Sequence, residues 1–173
     1  SAKLLTLKLK SSKMNQSKKH MSAKQQISQA LEDQSIFDLV GDTEGTMQER
    51  EKFLDELQKV VWDDFLDNDV ELLLTEEEMH PLEEIVTREN TDQLTKQQEI
   101  VKYLEAKIPD LEEIMMEKAL KLKEDLLQER ISGMEKFYAD KPANLAKINE
   151  AKIAIASGLY YDAIVRLYEA DTL

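Results

Sequence analysis

Apolar residues recur along this chain with two different periods. Leu94, Val101, Ile108, Met115 and Leu122 repeat every seven residues, and Leu104 and Leu111 stand four residues before Ile108 and Met115. That spacing draws one apolar stripe down a helix surface and predicts that the stretch 91–138 is helical and organises the chain. Gln97, Lys118 and Asp125 interrupt the seam with polar side chains. The interruptions fit packing against several neighbouring helices better than a uniform two-stranded coiled coil.

Shorter elements are predicted around this stretch. Thr46-Met47-Gln48-Glu49 has the pattern of a capping box, and Phe53, Leu54, Leu57, Val60, Val61, Phe65 and Leu66 follow it at helical spacing. Trp62, within that helix, reads as a core residue. Upstream, Ile27, Ala30 and Leu31 suggest a short helix. Ile36, Phe37, Leu39 and Val40 form an apolar knot packed onto the main helices, ahead of a glycine-bracketed loop at 41–45. Leu72 to Leu74 reads as a short apolar segment tucked into the core. Pro81, Pro109 and Pro142 each suit the first turn of a helix, where a missing amide hydrogen costs nothing. Pro81 would open a helix carrying Leu82, Ile85 and Val86, and Pro109 would start a new helix or kink a long one. Gly133 falls inside a helical pattern and weakens it by about 1 kcal/mol relative to alanine.

The expected fold is all-α, an antiparallel helical bundle or elongated helical array with a basic, flexible or extended N-terminal arm. Residues 1–24 form the arm and linker and 25–173 the helical domain, with long helices over 46–138 and a hairpin over 142–173. Only four glycines and three prolines in 173 residues argue against many-turned sheets. The absence of cysteine excludes disulfides and thiolate chemistry and fits a reducing, cytoplasmic setting. Apolar runs of three or four residues are too short for a transmembrane segment, and no apolar run of a secretory signal follows Ser1. Since the chain opens on serine and not methionine, it reads as a piece of something longer.

Charge divides the chain. Seven lysines (Lys3, Lys8, Lys10, Lys13, Lys18, Lys19 and Lys24) and no acidic residue occupy 1–24, leaving 16 basic against 36 acidic residues, a net of −20, in the remainder. A basic arm on an acidic body either folds back onto that body or meets an anionic partner, a protein surface or a membrane surface. Nucleic acid fits least, because the arm has no arginine or aromatic side chain and the body repels phosphate. Leu5, Leu7 and Leu9 alternate with Thr6, Lys8 and Lys10, the period of a strand; a lone strand cannot satisfy its own backbone, so the stretch either stays disordered or adds to the edge of a partner's sheet. The polar run from Ser11 to Lys19 reads as a linker.

Chemistry finds little footing. His20 and His80 are the only histidines, and there is no glycine-rich phosphate loop, so no catalytic residue, cofactor site or metal site is assigned and the chain reads as non-enzymatic. Residues 67–78 resemble an EF-hand loop. Oxygen-bearing side chains stand at the first, third and fifth positions and Glu78 at the twelfth, but Leu72 replaces the glycine of the sharp turn. This resemblance carries the alternative reading, a calcium-responsive regulatory protein. At the other end, Gly158, Tyr160, Ala163, Ile164, Leu167 and Ala170 resemble the turn and second helix of a tetratricopeptide repeat, and Ala151 falls where that repeat takes a small residue. Lys147 and Glu150 depart from its apolar pattern, and the second helix is also similar to that of a microtubule-interacting-and-trafficking hairpin.

The helical architecture points to a scaffold or adaptor that joins proteins, and long charged helices suggest a subunit of a cytoskeletal or ciliary assembly. Candidate partner-binding residues are Lys3, Leu5, Leu7, Lys8, Leu9 and Lys10 of the arm. Tyr161, Ile164 and Tyr168 join them as a second apolar strip on the last helix, which needs the bundle or a second chain to cover it and so implies self-association.

Overall fold

A computed structural model describes residues 27–173. These residues are all-α, with no strand among them. A 3-10 turn at Leu31–Asp33 precedes eight helices: α1 Ile36–Val40, α2 Met47–Asn68, α3 Val70–Leu73, α4 Glu76–Thr87, α5 Gln93–Lys107, α6 Leu111–Phe137, α7 Pro142–Ala156 and α8 Tyr160–Thr172. None is long and apolar enough to cross a membrane.

The apolar residues gather in two clusters that share one helix. The first takes side chains from α1 to α5 and Leu111, Met115 and Ala119 of α6, and the second joins Leu127, Ile131 and Met134 of α6 to α7, α8 and Leu39. At 1.5 Å per residue, the 27 residues of α6 extend about 40 Å. Its buried positions Leu111, Met115, Ala119, Lys123, Leu127 and Ile131 follow each other every four residues. A helix turns once in 3.6 residues, so each step carries the buried row about 40° further round, and five steps carry it about half a turn. The two clusters can therefore lie against different sides of the same helix.

Lys123 falls where the row passes from one cluster to the other. It is 1% exposed, and its ammonium donates to the main-chain carbonyls of Glu32 at 3.0 Å and Gln34 at 2.7 Å. A buried ammonium demands such acceptors, and here they come from the segment 28–34. The Gln34 amide donates to the carbonyls of Ser28 and Ala30, so the segment is drawn into a strap across α6. Its far end reaches α8. Tyr160 N donates to Gln29 O at 3.0 Å, and the Gln29 amide both receives from Asp162 N and donates to the Asp162 carboxylate.

Local chemistry sets the helix ends. Thr46 and Glu49 form the expected capping box at α2, and Thr75 and Glu78 form a second one at α4. Asp92 caps α5 by accepting from Thr95 N at 2.9 Å. Tyr103 donates to Glu78 O at 2.6 Å and ties α5 to α4. Lys118 of α6 is paired with Asp64 and Asp69, which fixes the end of α2 against α6.

Several expectations need correction. Of the two alternatives for 91–138 the chain takes the new helix, with a break at 108–110, but Leu94 is 66% exposed because the buried row of α5 is Val101 and Leu104. Pro81 is the sixth residue of α4 and not its opening residue; the Thr75 capping box starts the helix a turn earlier, and the proline forgoes one bond to the Glu77 carbonyl. Pro109 lies outside α6, which begins at Leu111, whereas Pro142 does open α7. Leu72 is 83% exposed and Leu73 half-exposed; Val70 and Leu74 are the residues this segment buries. Ile27 precedes the strap, and Ala30 and Leu31 belong to it and its 3-10 turn; none of the three lies in an α-helix.

Leu104 is fully buried, so Leu104→Asp places a charge among apolar side chains and should cost on the order of 4 kcal/mol. Leu94→Asp, at an exposed position, should stay within roughly 0.5 kcal/mol of the parent. Thermal melts followed by circular dichroism separate the two. Equal melting temperatures would place the core elsewhere.

Candidate interaction groove

Among the described residues the most extensive helix pairing is the hairpin of α7 and α8. Ser157 ends α7, and Gly158 follows in the left-handed region at φ 72°. Leu159 N donates to Ala154 O and Gly158 N to Ile155 O, both at 2.9 Å, the bond pair of a Schellman turn. Ala151 and Ala154 of α7 and Ala163 and Ala170 of α8 are buried in the second cluster, and such small residues let the two helices approach closely. Asn144 closes the open end. Its amide donates at 2.7 Å to the carbonyl of Ala170, which lies in the last turn of α8 and has no partner within the helix.

Lys147 and Glu150, the departures from the repeat pattern, pair across the hairpin. Lys147 lies 3.1 Å from Glu169, and Glu150 lies 3.3 Å from Arg166. The Lys147 hydrogen bond, followed by that of Arg166, holds the Glu169 carboxyl below its ordinary pKa. Its stabilising effect is present above the usual carboxylate range and is lost as pH falls through the lowered value.

On the outer side of the hairpin, α8 and α1 enclose a groove of about 230 Å³. Tyr161, Ile164, Val165 and Tyr168 form one wall, and Phe37 and the turn at Gly41 stand on the other, with Arg130 of α6 beside them. Arg130 is held from two directions: its guanidinium donates to Asp38 O at 3.0 Å and to Asp171 at 3.2 Å. The Tyr138 hydroxyl donates to the same Asp171 carboxylate at 3.1 Å. Burial, and then Asp171, push the Tyr138 phenol above its ordinary pKa, so it remains a donor. Gly41 ends α1 at φ 76°, and a Cβ there would lie 2.7 Å from the Arg130 guanidinium carbon. A side chain at this position is strained by the backbone and would have to displace the Arg130 guanidinium.

The strip expected at Tyr161, Ile164 and Tyr168 is thus one wall of the groove. Tyr161 and Ile164 are half-buried, while Tyr168 is 55% exposed. Phe37 and Arg130 were not anticipated there: Phe37 lies more than ninety positions from Arg130 and from α8, Arg130 stands 31 positions before Tyr161 on a different helix, and no sequence period links the three elements. Lys3, Leu5, Leu7, Lys8, Leu9 and Lys10 lie outside the described residues. Residues 67–78 form the end of α2, then α3, then the start of α4. Asp69 faces Lys118 and Glu78 belongs to the capping box. Among the described residues no three His, Asp or Glu side chains converge as metal ligands.

Comparison of the chain with family models, with curated proteins and with solved structures gives no match. The fold itself defines the class, an all-α protein whose terminal hairpin leaves an apolar groove on its outer side.

Gly41→Ala should cost about 1–2 kcal/mol, from the left-handed backbone alone, and should also displace Arg130. Gly133→Ala is the control: nothing lies within 4 Å of its Cβ, and within α6 the change should add about 0.5–1 kcal/mol. Chemical denaturation midpoints should move in opposite directions. Equal shifts would remove the reason given for Gly41.

Proposed function

We propose that this protein is a non-enzymatic scaffold or adaptor that joins other proteins, and that the groove between α1 and α8 is one of its contact surfaces. The observation that carries the reading is the groove itself, where Tyr161, Ile164, Val165 and Tyr168 line one wall of an open cleft beside Phe37. Tyrosines offer a large apolar body with a polar tip at little entropic cost, which is why they anchor protein interfaces. The likeness of the terminal hairpin to a tetratricopeptide repeat supports the same reading. The arm supplies a second contact, with Leu5, Leu7 and Leu9 adding to a sheet edge and Lys3, Lys8 and Lys10 meeting an anionic protein surface. Long charged helices suit a cytoplasmic place in a cytoskeletal or ciliary assembly.

Self-association is the accessible test, since an apolar cleft offered to other proteins is also offered to a second copy. The wild-type chain at high concentration should scatter light with more than the mass of one chain after gel filtration. Tyr161→Glu with Tyr168→Glu should be monomeric with unchanged helicity. A monomeric wild type, with the same elution in the double variant, would leave the groove a structural seam only.

A further inference from the structure

A second groove, of about 490 Å³, runs between the strap and α6. Its lining includes Ala30, Leu31 and Leu120 as an apolar floor and Glu32, Glu117 and Glu124 as an acidic rim. Lys121, the cation beside it, is turned to Asp125 at 3.6 Å. None of the three rim carboxylates is matched by a cation among the described residues. The chain enters this groove directly from the arm, since Ala30 and Leu31 line it and Lys13, Lys18, Lys19 and Lys24 precede them in sequence. An extended chain covers at most about 3.6 Å per residue. Lys24 therefore lies within roughly 20 Å of Ala30, and Lys18 and Lys19 can reach the far rim.

We propose that residues 13–24 dock on this groove, their lysines answering Glu32, Glu117 and Glu124. The sequence supplies four lysines with no acid among them for three carboxylates that no described cation matches, and the short tether keeps their effective concentration high. A basic segment of another molecule would meet the same carboxylates only by displacing the tethered one. Docking of 13–24 leaves residues 1–10, with Leu5, Leu7 and Leu9, presented at the end of a fixed stem. The proposal does not depend on the groove between α1 and α8.

The absence of native cysteine allows a single nitroxide at Ser17→Cys in the full chain. At low salt the amide signals of Glu117 to Glu124 should lose more than half their intensity. They should recover at about 0.5 M salt, where the screening length is only a few ångströms. They should also recover in Glu117→Lys/Glu124→Lys, and in a chain with Lys13, Lys18, Lys19 and Lys24 all changed to Gln, which leaves the helices untouched. Unbroadened signals in the labelled wild type would overturn the proposal. So would broadening that survives both charge variants. Broadening seen only when spin-labelled chains are mixed with separate isotope-labelled chains would assign the groove to a second copy instead.

Discussion

The buried ammonium of Lys123 is the interaction on which the arrangement of this protein turns. A charged amine inside a helical core is costly unless acceptors surround it, and the strap supplies the carbonyls of Glu32 and Gln34. The strap is thereby fixed at the middle of α6, and through Gln29 it is fastened to the start of α8. It also delivers α1 to its place, because Ser35 caps that helix directly after the strap ends. One side chain thus sets the relation between the long helix, the hairpin and the short helix that faces it.

The groove follows from that placement. α1 divides its side chains, sending Ile36 and Phe37 to the first cluster and Leu39 to the second, so it sits across the joint. Gly41 then turns the chain away sharply enough for Arg130 to pass beneath it and reach Asp38 and Asp171. The outer strip of α8 is left facing the edge of α1 across an open cleft. A rigid wall carrying half-exposed tyrosines is what a partner-binding surface needs, because little freedom remains to be lost on contact.

Much of this was legible in the sequence, and the failures have physical causes. The Thr46–Glu49 box and the terminal hairpin rest on local bonds, and local patterns reveal local bonds. The seven-residue count leads from Met115 to Leu122, which packs half-buried against the first cluster, but it misses the buried row. Leu111 and Met115 belong equally to a four-residue row, and the row continues through Ala119 and Lys123, which no hydrophobicity pattern would select. Pro81 reads as a helix start because its ring favours that position, yet the Thr75–Glu78 box is strong enough to begin α4 earlier. Of the groove, the strip of Tyr161, Ile164 and Tyr168 could be read as apolar residues left over once the hairpin face was filled. Phe37 and Arg130 could not, since they come to the groove from two other helices, α1 and α6.

On this reading α6, with Lys123 at its midpoint, makes the two clusters one cooperative unit. Trp62, the only tryptophan, reports the first cluster through its fluorescence, and the methyl resonances of Ile131 and Ile148 report the second. A denaturant titration followed by both should give one midpoint and one slope, as a single two-state transition requires. Separate midpoints, with either cluster melting while the other stays folded, would contradict the account.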